Sequence, residues 1–469
     1  MTFFYRIQML SSKTIGVIVP LTVIAVISFE HLRYIITHPH RQRKLKSHWE
    51  TEPSENTESD QLSLLETFGD YLLLPITYLI GFLIPNQSRN NTNWKQKFFH
   101  SLSVAGRYVN PFIEWQDRNT TDIFAYIKWQ LTRNNRNGVP KLEIELERNL
   151  PLMTPNFELL TQKNLEFKQS STSNSPQSES SLSSSWVKPP SESKITDSVL
   201  SASWIVEQSK SYMAVTWIGQ STCVVQMDGY NILTDPIFSS RTMGDYFGPK
   251  RLRPTPCTLE DLPPIDIVLI SHNHYDHLDV NIIKKLKDTV TWYVPMGLKK
   301  WMFSYGVTNV VELDWWQEFK HDDKLTIIGT PIQHWSGRHF FDVNSTLWSS
   351  FVCKTDSVSF FHCGDTGYCS AFKEIGDRYG PITFAALPIG SYEPRYFMCH
   401  QHMNPEEACL VHQDIKATYS LGVHWGTFMM SDEHYMDPPK DFEIARVKLN
   451  LPSGSCFTSK LGETVLLDY

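Results

Sequence analysis

The chain has 469 residues, enough for one large domain or two ordinary ones, and 41% apolar with 13% aromatic residues is sufficient for a substantial core. A net charge of −7 argues against a general nucleic-acid binder, which would be basic. The eight cysteines, the first at Cys223, form no CxxC pair and favour reduced thiols in a cytosol-facing domain over a disulfide framework.

Residues 15–29 are apolar and uncharged, slightly short for a bilayer span of about 20 residues, and no small-residue cleavage site follows. Arg33, Arg41, Arg43, Lys44 and Lys46 come next, so the positive-inside bias places the rest of the chain in the cytosol behind an uncleaved anchor. A second apolar run at 71–85, interrupted by Pro75 and Gly81, reads as interfacial or re-entrant. Residues 1–105 are therefore expected to form a membrane-associated extension. An arm packed on the catalytic domain is expected at 106–166. Serine dominates much of 167–200, which cannot bury enough apolar surface to order itself and is expected to be a disordered insertion. The catalytic domain is expected at 201–469.

Within that domain, residues 213–218, 222–227 and 232–234 read as strands, with Gly219-Gln220-Ser221 turning between the first two and Asp235-Pro236 closing the third. A buried strand is expected at 267–270, a helix at 280–286, a strand at 291–294 and a helix at 296–305. Strands follow at 325–330, 351–355 and 358–362, helices at 372–378 and 405–411, and a last core strand at 417–423. Mixed strands with interspersed helices predict an α/β layered domain. No internal repeat is visible.

The densest chemical signal directly follows the 267–270 strand. His272, His274, Asp276 and His277 fall within six residues. Imidazole with carboxylate is the ligand set favoured by borderline-soft cations such as zinc. His334, Asp365 and His424 share the placement, each after an apolar strand, and the glycines of Gly364-Asp365-Thr366-Gly367 permit a tight turn.

These positions resemble the ligand motifs of the metallo-β-lactamase superfamily. Longer stretches are similar to the N-acyl-phosphatidylethanolamine-hydrolysing phospholipases D: residues 233–241, 248–251, 262–266, 270–279, 312–316, 364–368 and 388–395, then Gln401-His402, 405–408 and 424–428. The resemblance implies an αββα sandwich with two zinc ions at its edge. By this analogy His272, His274 and His334 hold one metal, Asp276, His277 and His424 the other, and Asp365 bridges them. It further implies hydrolysis of a membrane phospholipid between phosphorus and the ethanolamine oxygen, giving phosphatidic acid and an N-acylethanolamine. Asp276 and Asp365 would orient the attacking hydroxide. His402 would donate to a phosphate or leaving-group oxygen, with Tyr275 and Gln401 near the substrate head. The family also suggests a homodimer.

Asn273 argues against the di-iron oxygen-reducing branch, which carries glutamate there. The HKD-type motif of the histidine-nucleophile phospholipases D is absent. Two other readings are a lactonase or nucleotide phosphodiesterase on the same fold, and an inactive membrane-tethered binding protein. Trp217, Trp315, Trp316 and Trp335 are candidates to line a lipid groove, though tryptophans are more often core.

Overall fold

The computed structural model describes residues 100–104, 106–112, 115, 129, 137–163, 212–339 and 342–469. The apolar runs at 15–29 and 71–85 and the serine-rich insertion expected at 167–200 lie outside the described residues. An N-terminal hairpin pairs β1 (Leu102–Val104) with β2 (Arg107–Val109), straddling the boundary expected at residue 105. A short helix, α1 (Glu143–Asn149), follows. Among the described residues no helix is long and apolar enough to cross a membrane.

The first half of the domain runs β3 (Tyr212–Gly219), β4 (Thr222–Met227) and β5 (Tyr230–Thr234), then a separate hairpin of β6 (Arg241–Met243) and β7 (Phe247–Lys250). After it come β8 (Ile267–Leu269), α2 (Val280–Leu286), β9 (Thr291–Pro295), α3 (Lys299–Phe303) and β10 (Val310–Leu313). The second half runs β11 (Glu318–Lys320), β12 (Thr326–Thr330), β13 (Ser350–Lys354), β14 (Ser359–His362), α4 (Ala371–Tyr379), β15 (Ile382–Pro388), α5 (Arg395–Met398) and α6 (Pro405–Asp414). It continues through β16 (Ala417–Val423), α7 (Asp437–Lys448) and β17 (Cys456–Phe457); β18 (Thr464–Asp468) returns to the first half.

Two seven-stranded sheets result, ordered β10-β9-β8-β5-β4-β3-β18 and β11-β12-β13-β14-β15-β16-β17. Each starts as an antiparallel meander, β3–β5 or β11–β14, and continues through parallel strands. Parallel neighbours need crossovers, and helices supply all but the one from β5 to β8, which carries the β6–β7 hairpin. The same strand plan thus occurs twice, although no residue repeat reveals it.

Side-chain alternation explains the layers. Ile267 and Leu269 of β8 face the large core between the sheets, whereas Val268 joins Ile282, Ile283, Trp292 and Val294 under α2 and α3. A strand buried on both faces reads as an unbroken apolar run, as 267–270 does. Helix α6 starts where its residues dictate. Asn404 accepts from Glu407 N at 2.9 Å, Glu407 accepts from Asn404 N at 2.8 Å, and Pro405 occupies the first turn.

Several elements depart from expectation, among them the β6–β7 hairpin and the edge strands β10 and β11, and three further ones have a plain physical reason. The helix expected at 296–305 shortens to Lys299–Phe303. Strand β15 was not anticipated, because its alanines dilute the strand signal. Helix α7 was also missed: Pro438 and Pro439 resemble a break, but in the first helical turn their missing N–H groups cost nothing.

One buried group outside the metal loops makes stability depend on pH. His412 on α6 is 4% exposed, and its Nδ1 lies 2.8 Å from Ser420 Oγ on β16. Burial lowers its pKa to about 4. Below the unfolded value of about 6.5, the unfolded chain takes a proton that the folded chain refuses. Stability from this group is therefore complete above pH 6.5 and declines as pH falls toward 4, by up to roughly 3 kcal/mol. Urea titrations of wild type and His412→Gln at pH 7 and pH 4.5 should show a smaller acid loss in the variant. Equal losses would refute the assignment.

Candidate metal centre

Pairing makes β3, β5 and β8 run one way within the first sheet and β12, β14 and β16 run one way within the second, and the ligand residues that follow β8, β12, β14 and β16 converge. Their C-terminal ends therefore meet at one edge of the sandwich. Seven residues on four of the following loops converge there. The ligand atoms of His272, His274 and His334 lie within 4.8 Å of one another, as do those of Asp276, His277, Asp365 and His424. Convergence needs tight turns. Gln220, Asp235 and His424 have φ of 52°, 34° and 63°, a region that costs non-glycine residues roughly 1 kcal/mol or more each. Gly364, at φ 66°, packs so close to Ser271 that a Cβ would collide with it, which is why glycine precedes Asp365.

In the first cluster His272 Nε2 lies 2.7 Å from His274 Nδ1, and His334 Nε2 lies 3.3 Å from that same atom. In the second, Asp365 Oδ2 lies 3.1 Å from His277 Nε2 and 3.2 Å from His424 Nε2. Asp276 Oδ2 lies 3.4 Å and 3.5 Å from the same two nitrogens. His402 Nδ1 is 3.9 Å from Asp365 Oδ2, and its ring centroid is 5.4 Å from His334 and 5.5 Å from His424, so it stands between the clusters.

The outward-facing nitrogens decide what faces inward. His334 Nδ1 donates to the Gln401 carbonyl at 2.9 Å, and His277 Nδ1 donates to Asp235 Oδ2 at 2.8 Å. Ser271 Oγ donates to Asp235 at 2.6 Å, which leaves it to accept from His272 Nδ1 at 2.9 Å. Each outer bond fixes the ring so that Nε2 faces the cluster, as a free lone pair in His272 and His334 and as a proton that a metal would replace in His277. His274 Nε2, His277 Nε2 and Asp365 Oδ1 are buried without a hydrogen bond. Inward-facing imidazole nitrogens, two converging carboxylates and orphaned buried atoms fit a dinuclear metal site of nitrogen and oxygen ligands.

Electrostatics separates the two halves. Burial presses His272 and His334 well below 6.5 and His274 to about 4, so the first cluster is neutral imidazole. In the second, burial opposes charge but loses. Asp365, Asp276 and Asp235 raise His277 well above 6.5, and Asp365 with Asp276 raises His424 to about 9. Burial likewise favours neutral Asp276 and Asp365, yet the facing histidines hold both well below 3.8. A dication entering this cluster would displace those imidazole protons.

The other expected residues take less direct places. Tyr275 OH donates to the Arg338 carbonyl at 2.9 Å, and the Arg338 guanidinium lies 4.1 Å over its ring. Gln401 accepts from Trp335 Nε1 at 2.8 Å, while the Trp335 ring lies 4.1 Å from that of His274. Trp217 and Trp315 are core residues, 1% and 4% exposed, and Trp316 stacks with Tyr379. Asn273 Oδ1 accepts from Gly337 N at 2.7 Å and so ties the metal loop to the loop after His334.

Two residues that sequence reasoning left without a role complete the site. Gln220 Nε2 donates to Asp276 Oδ2 at 2.7 Å and lies 2.7 Å from His424 Nε2. Asp235 accepts from His277, His362 and Ser271. Their sole sequence signals were a turn and a strand end. All eight cysteines are free.

Residues 230–425 match the Beta-lactamase superfamily domain. The chain is 41% identical over 263 residues to N-acyl-phosphatidylethanolamine-hydrolyzing phospholipase D 1 of Caenorhabditis elegans, covering 53% of this chain and 74% of that protein. It is 34% identical over 394 residues to the mitochondrial N-acyl-phosphatidylethanolamine-hydrolyzing phospholipase D of Saccharomyces cerevisiae, covering 81% of this chain and 80% of that protein. Among solved structures, an isothiocyanate hydrolase from Delia radicum gut bacteria aligns with a TM-score of 0.45 at 20% identity, over 54% of this chain and 98% of that one.

Proposed function

The chain belongs to the metallo-β-lactamase superfamily, related at moderate identity to N-acyl-phosphatidylethanolamine-hydrolysing phospholipases D, and on that premise we propose that it is a zinc-dependent phosphodiesterase acting on N-acyl-phosphatidylethanolamine. Water replaces the ethanolamine oxygen on phosphorus, so the products are phosphatidic acid and an N-acylethanolamine. The observation that carries this reading is the pair of adjoining ligand clusters with His402 between them, in a chain that aligns with phospholipase D relatives over most of its length.

Bound there, two zinc ions would act as Lewis acids toward the phosphoryl group and lower the pKa of water toward neutrality. The chain's own residues do the rest. His272, His274 and His334 would hold one ion, and Asp276, His277 and His424 the other, with Asp365 shared. The carboxylates of Asp276 and Asp365 accept the proton of the attacking water and orient it for in-line attack. Burial lowers the His402 pKa to about 4, so it is neutral at physiological pH and donates a hydrogen bond to a phosphoryl or leaving-group oxygen. Tyr275 and Gln401, whose polar ends engage Arg338 and Trp335, shape the wall beside the substrate head. The apolar and basic residues at 15–46 would hold the enzyme on a membrane with its catalytic domain toward the cytosol, as a homodimer.

The test is product analysis on purified, metal-replete full-length protein given N-acyl-phosphatidylethanolamine vesicles in ¹⁸O-labelled water. Phosphatidic acid carrying the label, release of N-acylethanolamine and co-sedimentation with the vesicles are expected. Turnover of lactones or cyclic nucleotides alone would replace this reading with another hydrolase. Two bound metals with no turnover of any of these would point to the binding protein.

A further inference from the structure

The segment Arg107 to Phe112 lies outside the matched superfamily domain, yet it reaches the metal centre. Phe112 is fully buried, its ring 5.8 Å from that of Trp315, which anchors the segment in the core. Tyr108 N donates to the Asn344 carbonyl at 2.8 Å, and Arg107 Nη1 donates to the Val343 carbonyl. Between these anchors Asn110, 2% exposed, donates from Nδ2 to the His334 carbonyl at 2.6 Å. The reverse amide orientation would set two oxygens against each other, so the donor assignment follows from the contact. Among the described residues Asn110 Oδ1 is buried without a partner, and the bond to the His334 carbonyl is the side chain's one hydrogen bond there.

His334 is thereby held from both ends. Its imidazole donates to the Gln401 carbonyl, and its own carbonyl receives Asn110. The loop that follows is closed on itself by Asn344, which accepts from Ser336 N at 3.1 Å and donates to the Ser336 carbonyl at 2.7 Å. Because the segment grips Val343 and Asn344 as well as His334, it fixes both ends of that loop.

We propose that Asn110 is a positioning residue for the three-histidine metal position: through it, a segment outside the superfamily domain sets where His334 Nε2 points. This rests on the dinuclear reading above. His334 belongs to one cluster only, so loss of Asn110 acts on one ion and not the other. Partners one step removed from a metal ligand typically change affinity about 10–100-fold.

The experiment titrates metal-stripped full-length protein with Co(II), followed by visible absorption, and with Zn(II) by calorimetry. The wild type binds two ions. Asn110→Ala and Asn110→Leu, the second keeping the volume without the donor in case the first fails to fold, should each weaken one ion by about 10–100-fold. The other ion should keep its affinity within about threefold, and the absorption bands of the weakened ion should shift. Two ions bound as in wild type, or both weakened equally, would overturn the proposal. A wild type that does not bind two ions would overturn the dinuclear reading itself and this inference with it.

Discussion

Asp365→Asn should lower kcat/KM by a factor on the order of a thousand, about 4 kcal/mol of barrier, while the protein stays folded. Asparagine matches aspartate in size, so the packing around Gly364 and Ser271 survives. The charge does not. Asp365 faces His277, His424 and His402 at 3.1, 3.2 and 3.9 Å, and in the two-metal arrangement proposed above it is the carboxylate shared between the ions. An amide there supplies one neutral oxygen and an N–H pointed at a cation. Metal content by mass spectrometry should fall below two per chain, while the circular dichroism spectrum of the metal-free protein stays close to wild type. His272→Ala should behave similarly by emptying the first cluster. Near-normal turnover in either variant would remove the two-metal assignment.

The second large effect is expected at a residue that is not itself a ligand but holds one in place. Asp235→Ala should destabilise the metal-free protein by about 3–5 kcal/mol, the usual cost of stripping one partner from a buried charged network. Asp235 is fully buried and accepts from Ser271 N at 2.7 Å, Ser271 Oγ at 2.6 Å, His277 Nδ1 at 2.8 Å and His362 Nε2 at 2.9 Å. Burial favours its neutral form, but His362 and His277 win and hold its pKa near about 2. Alanine leaves two buried imidazoles and a hydroxyl without their acceptor, in a space water cannot easily fill. It also frees His277 to rotate, so metal affinity should drop by about 10–100-fold. Urea denaturation of the metal-free protein and a competition titration with a zinc chelator measure the two effects separately. An unchanged urea midpoint would mean that the network contributes no stability; unchanged affinity would mean that His277 is oriented by something else.

Sequence by itself determined the layered class and the seven residues that converge in the two clusters. Apolar alternation marked most core strands because burial on one or both faces is a local property of a strand. Helix α6 begins at Pro405, as expected from the sequence, and its end is satisfied by the near neighbours Asn404 and Glu407. His272, His274, Asp276 and His277 were legible because a loop of six residues already brings four ligands together. What remained hidden lay in contacts between distant segments. Asp235 meets His362 127 residues away, Asn110 meets His334 224 residues away, and Gln220 meets His424 204 residues away. Nothing local distinguishes these three from ordinary turn residues. Tertiary structure also turned the polar ends of Tyr275 and Gln401 toward Arg338 and Trp335. A ligand's identity is written in its own side chain, whereas its orientation depends on which distant loop the sheet topology delivers beside it.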